Sequence, residues 1–138
     1  MAEYAKPLPI ADPDSQPFWD ACKRHELTAQ RCRGCGRWRF PPRGVCPSCY
    51  SWEADWLPLP GTGNVQTFVV PHRAFSPAFS DELPYVVAHV VLDDTDGNVV
   101  MIGNLLGCQW TDVQVGMPVR VNFEDATEEV ALPKFKPA

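Results

Sequence analysis

Short segments in which apolar and polar residues alternate make up the C-terminal half of the chain, and turn residues separate them. Val119–Glu124 alternates strictly, as a half-buried strand does. Asp96-Gly97 is a typical two-residue hairpin turn between the second and third segments. The predicted strands are Gly63–Pro71, Tyr85–Asp93, Asn98–Leu106, Val119–Asp125 and Glu129–Phe135. Five short strands predict a small Greek-key barrel of the OB type over residues 61–138.

The N-terminal part has a different pattern and predicts an arm followed by a helix, over residues 1–26. Residues 1–15 are polar and interrupted by prolines, which indicates an extended arm. From Gln16 to about Glu26, apolar residues such as Phe18 and Cys22 recur at spacings of three and four, as on one face of a helix. We expect Ser15 to cap this helix at its N-terminus.

Two Cys-x-x-Cys pairs dominate the segment between helix and barrel, residues 27–60. The pairs are separated by ten residues and consist of Cys32, Cys35, Cys46 and Cys49. This spacing is typical of a tetrahedral zinc site rather than of disulfides, and rubredoxin-like iron, which uses the same four thiolates, remains the alternative metal. Four protein ligands leave no open coordination position, so we expect a structural zinc that takes no part in catalysis.

Composition narrows the class of protein. The net charge is −5, and the 15 prolines are spread along the chain, which indicates many short elements with fixed turns. The chain has neither a leader pattern nor an apolar run near 18 residues, so we expect no signal peptide and no membrane span. Cys22 and Cys108 are isolated in the sequence and are expected to be reduced thiols, which favours a cytoplasmic location.

No motif of an independent enzyme is present. The sequence contains no Gly-x-Ser-x-Gly, no phosphate-binding glycine loop and no His-Glu-x-x-His pair. Its histidines, His25, His72 and His89, are scattered, and nothing basic lies beside Cys108 to activate it. We therefore expect no catalytic residue in this chain.

The segment Pro71–Pro84 is long for a connection between two barrel strands and is rich in aromatic residues. Exposed aromatic side chains there would suit a protein interface. The alternative is that its phenylalanines fold back and close the end of the barrel. The candidate partner or acyl-channel contacts are His72, Arg73, Phe75, Phe79 and Tyr85.

Several motifs resemble one family over nearly the whole chain. In the N-terminal half they are Phe18-Trp19, Gln30-Arg31-Cys32, Phe40-Pro41-Pro42-Arg43 and Cys46-Pro47-Ser48-Cys49; in the barrel they are Gly61-x-Gly63, Pro84-Tyr85-Val86-Val87-Ala88 and Val115-Gly116-Met117-x-Val119. The chain resembles the thiolase-associated proteins that combine a rubredoxin-like zinc ribbon with an OB-fold domain, formerly a domain of unknown function. The ribbon motif with its Phe-Pro-Pro-Arg sequence is the specific part of this resemblance.

The resemblance implies a non-catalytic accessory subunit in a hetero-oligomer. In such complexes a thiolase-like subunit makes or breaks a carbon–carbon bond next to a coenzyme A thioester, and the small subunit docks on it and helps shape the acyl-CoA site. Members occur in archaeal mevalonate synthesis, steroid side-chain degradation and aromatic degradation.

An arginine cluster in or beside the ribbon has two interpretations. A tetrathiolate zinc site has a formal charge of −2, which nearby arginines would compensate. The resemblance adds the possibility that Arg37, Arg39 and Arg43 contact the phosphates of coenzyme A, because arginine binds phosphate in a bidentate manner. The cluster consists of Arg31, Arg33, Arg37, Arg39 and Arg43.

Two other function classes remain open. Zinc ribbons and OB barrels also bind single-stranded nucleic acids, and a self-sufficient acyl-CoA enzyme is the second alternative. Charge disfavours nucleic acid, because the barrel half is acidic and only the ribbon is basic. We expect a thiolase-like protein partner with acyl-CoA at the shared site, and no nucleic acid or membrane.

Overall fold

The computed structural model describes residues 4–138, so the first three residues of the predicted arm lie outside the described part of the chain. The predicted fold class is confirmed: a short N-terminal helix precedes a three-stranded ribbon and a closed five-stranded barrel. The elements are α1 (Gln16–Lys23), β1 (Thr28–Cys32), β2 (Trp38–Arg39), β3 (Ala54–Pro58), β4 (Thr62–Val69), β5 (Val86–Leu92), β6 (Val100–Leu105), β7 (Pro118–Asp125) and β8 (Ala131–Pro137). No helix within residues 4–138 has the length and apolar character needed to cross a bilayer.

Helix α1 is shorter than predicted, and a Schellman motif ends it. The Glu26 N–H donates to the carbonyl of Ala21 and the His25 N–H donates to that of Cys22, both at 2.9 Å. His25 takes the left-handed position of this motif, with φ at 60°. Its Nε2 lies 2.8 Å from Asp125 Oδ1 of β7, and its ring stacks on Phe123. These contacts join the helix end to the barrel.

The prediction that the Ser15 side chain caps α1 is wrong. Ser15 stands at the N-cap position, but its side chain makes no cap hydrogen bond. Its Oγ instead accepts a hydrogen bond from the Asp12 N–H at 3.0 Å, while Asp12 Oδ1 accepts one from the Ser15 N–H at 2.8 Å. The hydrogen bonds from Ser15 hold the pKa of the Asp12 carboxyl below its ordinary value.

The ribbon sheet is organised around β1, which pairs antiparallel with both β2 and β3. One end of β1 is Cys32, so the strand leads directly into the first cysteine pair. Phe18 and Cys22 of α1 lie in the same core as Leu27, Ala29 and the barrel interior. The ribbon and the barrel therefore share one hydrophobic core.

The barrel has the strand order β4-β5-β6-β8-β7 and closes through the pairing of β7 with β4. The Asp96-Gly97 turn lies in the connection between β5 and β6, as predicted, and both residues have positive φ. Alternate residues of β5, from Val86 to Leu92, are buried inside the barrel. β6 and β8 run parallel, and a single residue pair, Leu105–Phe135, joins them.

Cys22 provides a test of the shared core. Burial raises the pKa of its thiol to about 12 from an ordinary value of 9.0, which lowers the thiolate fraction about a thousandfold. We expect iodoacetamide at pH 8 to leave Cys22 unmodified in the folded protein while the half-buried Cys108 reacts. The Cys22 thiol ionises at a lower pH in the unfolded chain than in the folded protein. Its ionisation should therefore reduce the free energy of unfolding as the pH rises from 9 to 12. Mass spectrometry of the alkylated peptides measures the alkylation rates of Cys22 and Cys108. Equal rates would contradict the burial of Cys22 in the shared core.

Candidate metal centre and partner-binding surface

The two Cys-x-x-Cys turns have the same backbone hydrogen bonds. In the first, the Gly34 N–H donates to Cys32 Sγ at 3.3 Å and the Gly36 N–H to the Cys32 carbonyl at 3.0 Å. In the second, the Ser48 N–H donates to Cys46 Sγ at 3.4 Å and the Tyr50 N–H to the Cys46 carbonyl at 3.0 Å. Gly36 and Tyr50 occupy equivalent positions with φ of 77° and 62°, which glycine adopts without strain and tyrosine does not.

The turns bring all four predicted cysteine sulfurs within 4.8 Å of one another. Cys32 Sγ lies 3.5 Å from Cys49 Sγ, and Cys35 Sγ lies 3.7 Å from Cys46 Sγ. A tetrahedron with zinc–sulfur bonds of about 2.3 Å has edges of about 3.8 Å. The sulfur positions therefore fit a tetrathiolate zinc ion, and they leave no open ligand position.

The electrostatics of the thiols also suit a dication. The hydrogen bond from the Cys49 amide is the main cause that lowers the pKa of Cys46 to about 6. For Cys49, the Ser51 amide lowers the pKa, but the Cys32 thiol and burial together raise it to about 11. Four sulfurs this close ionise together only when a bound cation offsets their mutual repulsion. The donor set thus fits zinc as a structural ion.

The arginine cluster divides into engaged and exposed members. Arg33 forms an ion pair of 2.8 Å with Asp55, and Arg31 Nε donates to the Gly36 carbonyl at 3.0 Å. Arg39 is buried, and its Nε donates to Gln30 Oε1 at 3.2 Å, so it lies out of reach of a phosphate in solvent. Arg37 and Arg43 are exposed.

Of the five predicted contact residues in and beside the Pro71–Pro84 loop, His72, Arg73 and Phe75 are exposed, whereas Phe79 and Tyr85 are half-buried. Phe75 is 93% exposed, and the Arg73 guanidinium lies 6.0 Å from the centre of its ring. The alternative that Phe75 closes the end of the barrel is therefore wrong. His72 packs edge-on against Trp110 at 5.0 Å between ring centroids.

Phe79 is held more firmly than Phe75. It lies in a 3₁₀ helix, Pro77–Glu82, and its ring packs against Tyr85 at 5.9 Å. Lys6 of the arm lies over the Phe79 ring at 5.8 Å and forms an ion pair of 2.8 Å with Glu82. These contacts join the N-terminal arm to the 3₁₀ helix.

Other exposed apolar residues were not found by sequence reasoning. Tyr50 and Trp52, beside the second cysteine pair, are 75% and 77% exposed. Ile102 on β6 is 60% exposed and borders an apolar groove. The exposure of Tyr50 and Trp52 could have been predicted, because they are aromatic residues next to a cysteine turn and belong to no strand pattern. Ile102 follows an ordinary strand alternation, so the sequence contains no signal of its exposure.

Two family models match the chain in sequence order. The rubredoxin-like zinc ribbon domain of ChsH2 matches residues 19–53, and the C-terminal OB-fold domain of ChsH2 matches residues 56–124. A solved structure described as the Ltp2-ChsH2(DUF35) aldolase contains a chain with a TM-score of 0.84 and 35% identity, covering 94% of this chain and 98% of that one.

Curated relatives are of two lengths. A probable enoyl-CoA hydratase alpha subunit of Thermomonospora curvata is 38% identical over 96% of this chain, which spans only 40% of that relative. A DUF35 domain-containing scaffold protein of Methanocaldococcus jannaschii is 34% identical, covering 83% of this chain and 84% of that protein. The ribbon and barrel motifs indicated the same family, and the chain belongs to the ChsH2/DUF35 family of proteins with a rubredoxin-like zinc ribbon and an OB-fold domain.

Proposed function

We propose that this chain is a non-catalytic accessory subunit that docks on a thiolase-superfamily acyl-CoA enzyme and helps shape its substrate site. The observation that carries the proposal is the likeness, over 94% of the chain, to a chain of the Ltp2-ChsH2(DUF35) aldolase. Relatives of matching length are DUF35 scaffold proteins, which supports a role in assembly rather than in chemistry.

The side chains of residues 4–138 support a role without catalysis. His25 contacts Asp125, His72 packs on Trp110, and His89 lies on the outer barrel face opposite Thr67 and Ile102. Within the described residues, the hydrogen bond found for these histidines joins His25 to a carboxylate and not to a hydroxyl or thiol group, so no activated nucleophile is assembled. Cys32, Cys35, Cys46 and Cys49 hold one structural zinc ion in this proposal, and that ion stabilises the ribbon.

The surface offers two kinds of contact to such a complex. Phe75 presents an almost fully exposed ring, and Trp110 beside His72 is 40% exposed. Aromatic residues of this kind dominate the energy of protein interfaces. Arg37 and Arg43 are exposed on the ribbon, where their guanidinium groups would bind the phosphates of coenzyme A.

Activity measurements on the separate and combined subunits test the proposal. We expect the purified chain to show no turnover of 3-hydroxyacyl- or 3-ketoacyl-CoA thioesters. Co-expression with a thiolase-like subunit of the same organism should give a stable hetero-oligomer with turnover, measured by light scattering and by product analysis. Turnover by this chain alone, equal to that of the mixture, would contradict the proposal, as would the lack of any complex. Tight, salt-dependent binding of a single-stranded oligonucleotide would favour the nucleic-acid alternative instead.

A further inference from the structure

The four cysteine ligands differ in how far they are protected from solvent. Cys32 and Cys46, the first cysteine of each turn, are buried, whereas Cys35 and Cys49, the second cysteine of each turn, are exposed. Zinc ligands must be deprotonated, so a bound ion holds all four sulfurs as thiolates at neutral pH. Two of these four thiolates therefore belong to residues that solvent reaches.

Backbone hydrogen bonds add to this difference. The sulfurs of Cys32 and Cys46 each accept hydrogen bonds from two amides of their own turn. The sulfur of Cys49 accepts its backbone hydrogen bond from the Ser51 amide. Hydrogen bonds to a thiolate stabilise its charge and lower its nucleophilicity. The buried sulfurs are therefore the less reactive pair on both grounds.

Little side-chain bulk covers the exposed sulfurs. Cys35 lies between Gly34 and Gly36, neither of which has a side chain. A Cβ atom at Gly34 would lie 3.2 Å from Cys49 Sγ, so glycine at this position leaves that side of the sulfur uncovered. Oxidation of cysteine depends on thiolate character and on access. Cys35 and Cys49 satisfy both conditions, whereas the buried cysteines satisfy only the first.

Each exposed sulfur lies next to a buried sulfur of the other turn. Cys35 Sγ lies 3.7 Å from Cys46 Sγ, and Cys49 Sγ lies 3.5 Å from Cys32 Sγ. The sulfur–sulfur bond of a disulfide is about 2.0 Å long, so a movement of less than about 2 Å would join either pair. An oxidised sulfur at either exposed position thus has a second thiolate beside it that can displace the oxygen.

We propose that Cys35 and Cys49 are the sites at which peroxide modifies this protein, and that each then forms a disulfide with its neighbour in the other turn. The Cys35 thiolate attacks one peroxide oxygen, the O–O bond breaks, hydroxide leaves and Cys35 becomes a sulfenic acid. The Cys46 thiolate then attacks the Cys35 sulfur, and the sulfenic oxygen leaves as a second hydroxide. The two sulfurs together lose two electrons, which the peroxide gains. Cys49 and Cys32 react in the same way with a second peroxide.

The disulfides connect oxidation to loss of the metal. The thiolate is the zinc ligand, so conversion of the four thiolates to two disulfides removes the ligands and releases the ion. Reduction by a thiol restores the four ligands. These reactions need no partner, so they do not depend on the proposed accessory function.

Brief alkylation of the zinc-loaded protein tests the difference in reactivity. The experiment uses the Cys108→Ser variant, which lacks the half-buried thiol outside the metal centre. Among molecules with a single label, we expect iodoacetamide on Cys35 and Cys49 at least about ten times as often as on Cys32 and Cys46, because access limits the reaction. Tandem mass spectrometry locates the label. Equal labelling of the four cysteines, or preferential labelling of the buried pair, would overturn the proposal.

Peroxide treatment of the zinc-loaded parent protein tests the disulfides. We expect release of one zinc ion per chain, measured with a chromogenic chelator, and disulfides Cys35–Cys46 and Cys32–Cys49 in the non-reduced peptide map. A sample without peroxide should keep its zinc, and dithiothreitol with added zinc should restore the metal content of the oxidised sample. Zinc retained at a peroxide concentration that oxidises Cys108 would overturn the proposal, and so would disulfides formed within one turn.

Discussion

Replacing Cys46 with serine is expected to unfold the zinc ribbon. Cys46 is fully buried, and its Sγ lies 3.7 Å from that of Cys35. Structural zinc in finger peptides contributes about 10–16 kcal/mol of apparent binding free energy, which is comparable to the total stability of about 5–15 kcal/mol that is typical of a native protein. The pairing β1 makes with β2 and β3 should therefore be lost with the metal.

The barrel should remain folded in this variant, with a lower melting temperature. All of its strand pairs lie within residues 62–137, so none depends on the metal directly. The loss of Leu27 and Ala29 from the shared core accounts for the lower melting temperature. Metal analysis, near-ultraviolet circular dichroism of Trp38 and Trp56, and thermal unfolding measure these effects.

Cys108→Ser is the matched control, because Cys108 is a half-buried thiol outside the metal centre. It should retain one zinc per chain and the parental melting temperature. A Cys46→Ser variant with a full equivalent of zinc would contradict the assignment of ligands. Parent protein prepared without chelator and found to contain neither zinc nor iron would contradict the metal itself.

Local patterns were sufficient to predict the metal centre and most of the barrel. A Cys-x-x-Cys turn is set by neighbouring residues alone, so its spacing indicated both the turn and the grouping of sulfurs. Strand alternation located β7 to within one residue, and Asp96-Gly97 located the hairpin. In each case the physical cause lies within a few residues of its effect.

Features that depend on distant contacts could not be predicted in this way. The helix end at His25 has no glycine to signal it, and contacts with Phe123 and Asp125, about 100 residues away, hold the residue there. Arg39 is buried beside Gln30 of the neighbouring strand, to which it donates a hydrogen bond, and the pairing of these strands is not visible in the local sequence.

The Pro71–Pro84 loop is predicted to bind a partner, and the structure predicts different effects for substitutions of its two phenylalanines. Phe75 makes almost no contact within the chain, so Phe75→Ala should leave the melting temperature of the isolated protein unchanged. Phe79 packs on Tyr85 and under Lys6, so Phe79→Ala should lower the melting temperature by loosening the 3₁₀ helix.

If the partner is the thiolase-like subunit proposed above, its binding should respond most strongly to Phe75. An exposed aromatic ring on a proline-rich loop loses little conformational entropy when it docks, and truncating an interface anchor costs at least about 2 kcal/mol, or more than tenfold in Kd. Titration calorimetry against the partner should therefore show at least a tenfold weaker Kd for Phe75→Ala, while Val115→Ala, an exposed apolar control outside the loop, binds like the parent. If Phe75→Ala binds with parental affinity, the ring is not an anchor and the partner contacts another face. If only Phe79→Ala weakens binding, in proportion to its lower stability, the loop serves the fold of the barrel end rather than the interface.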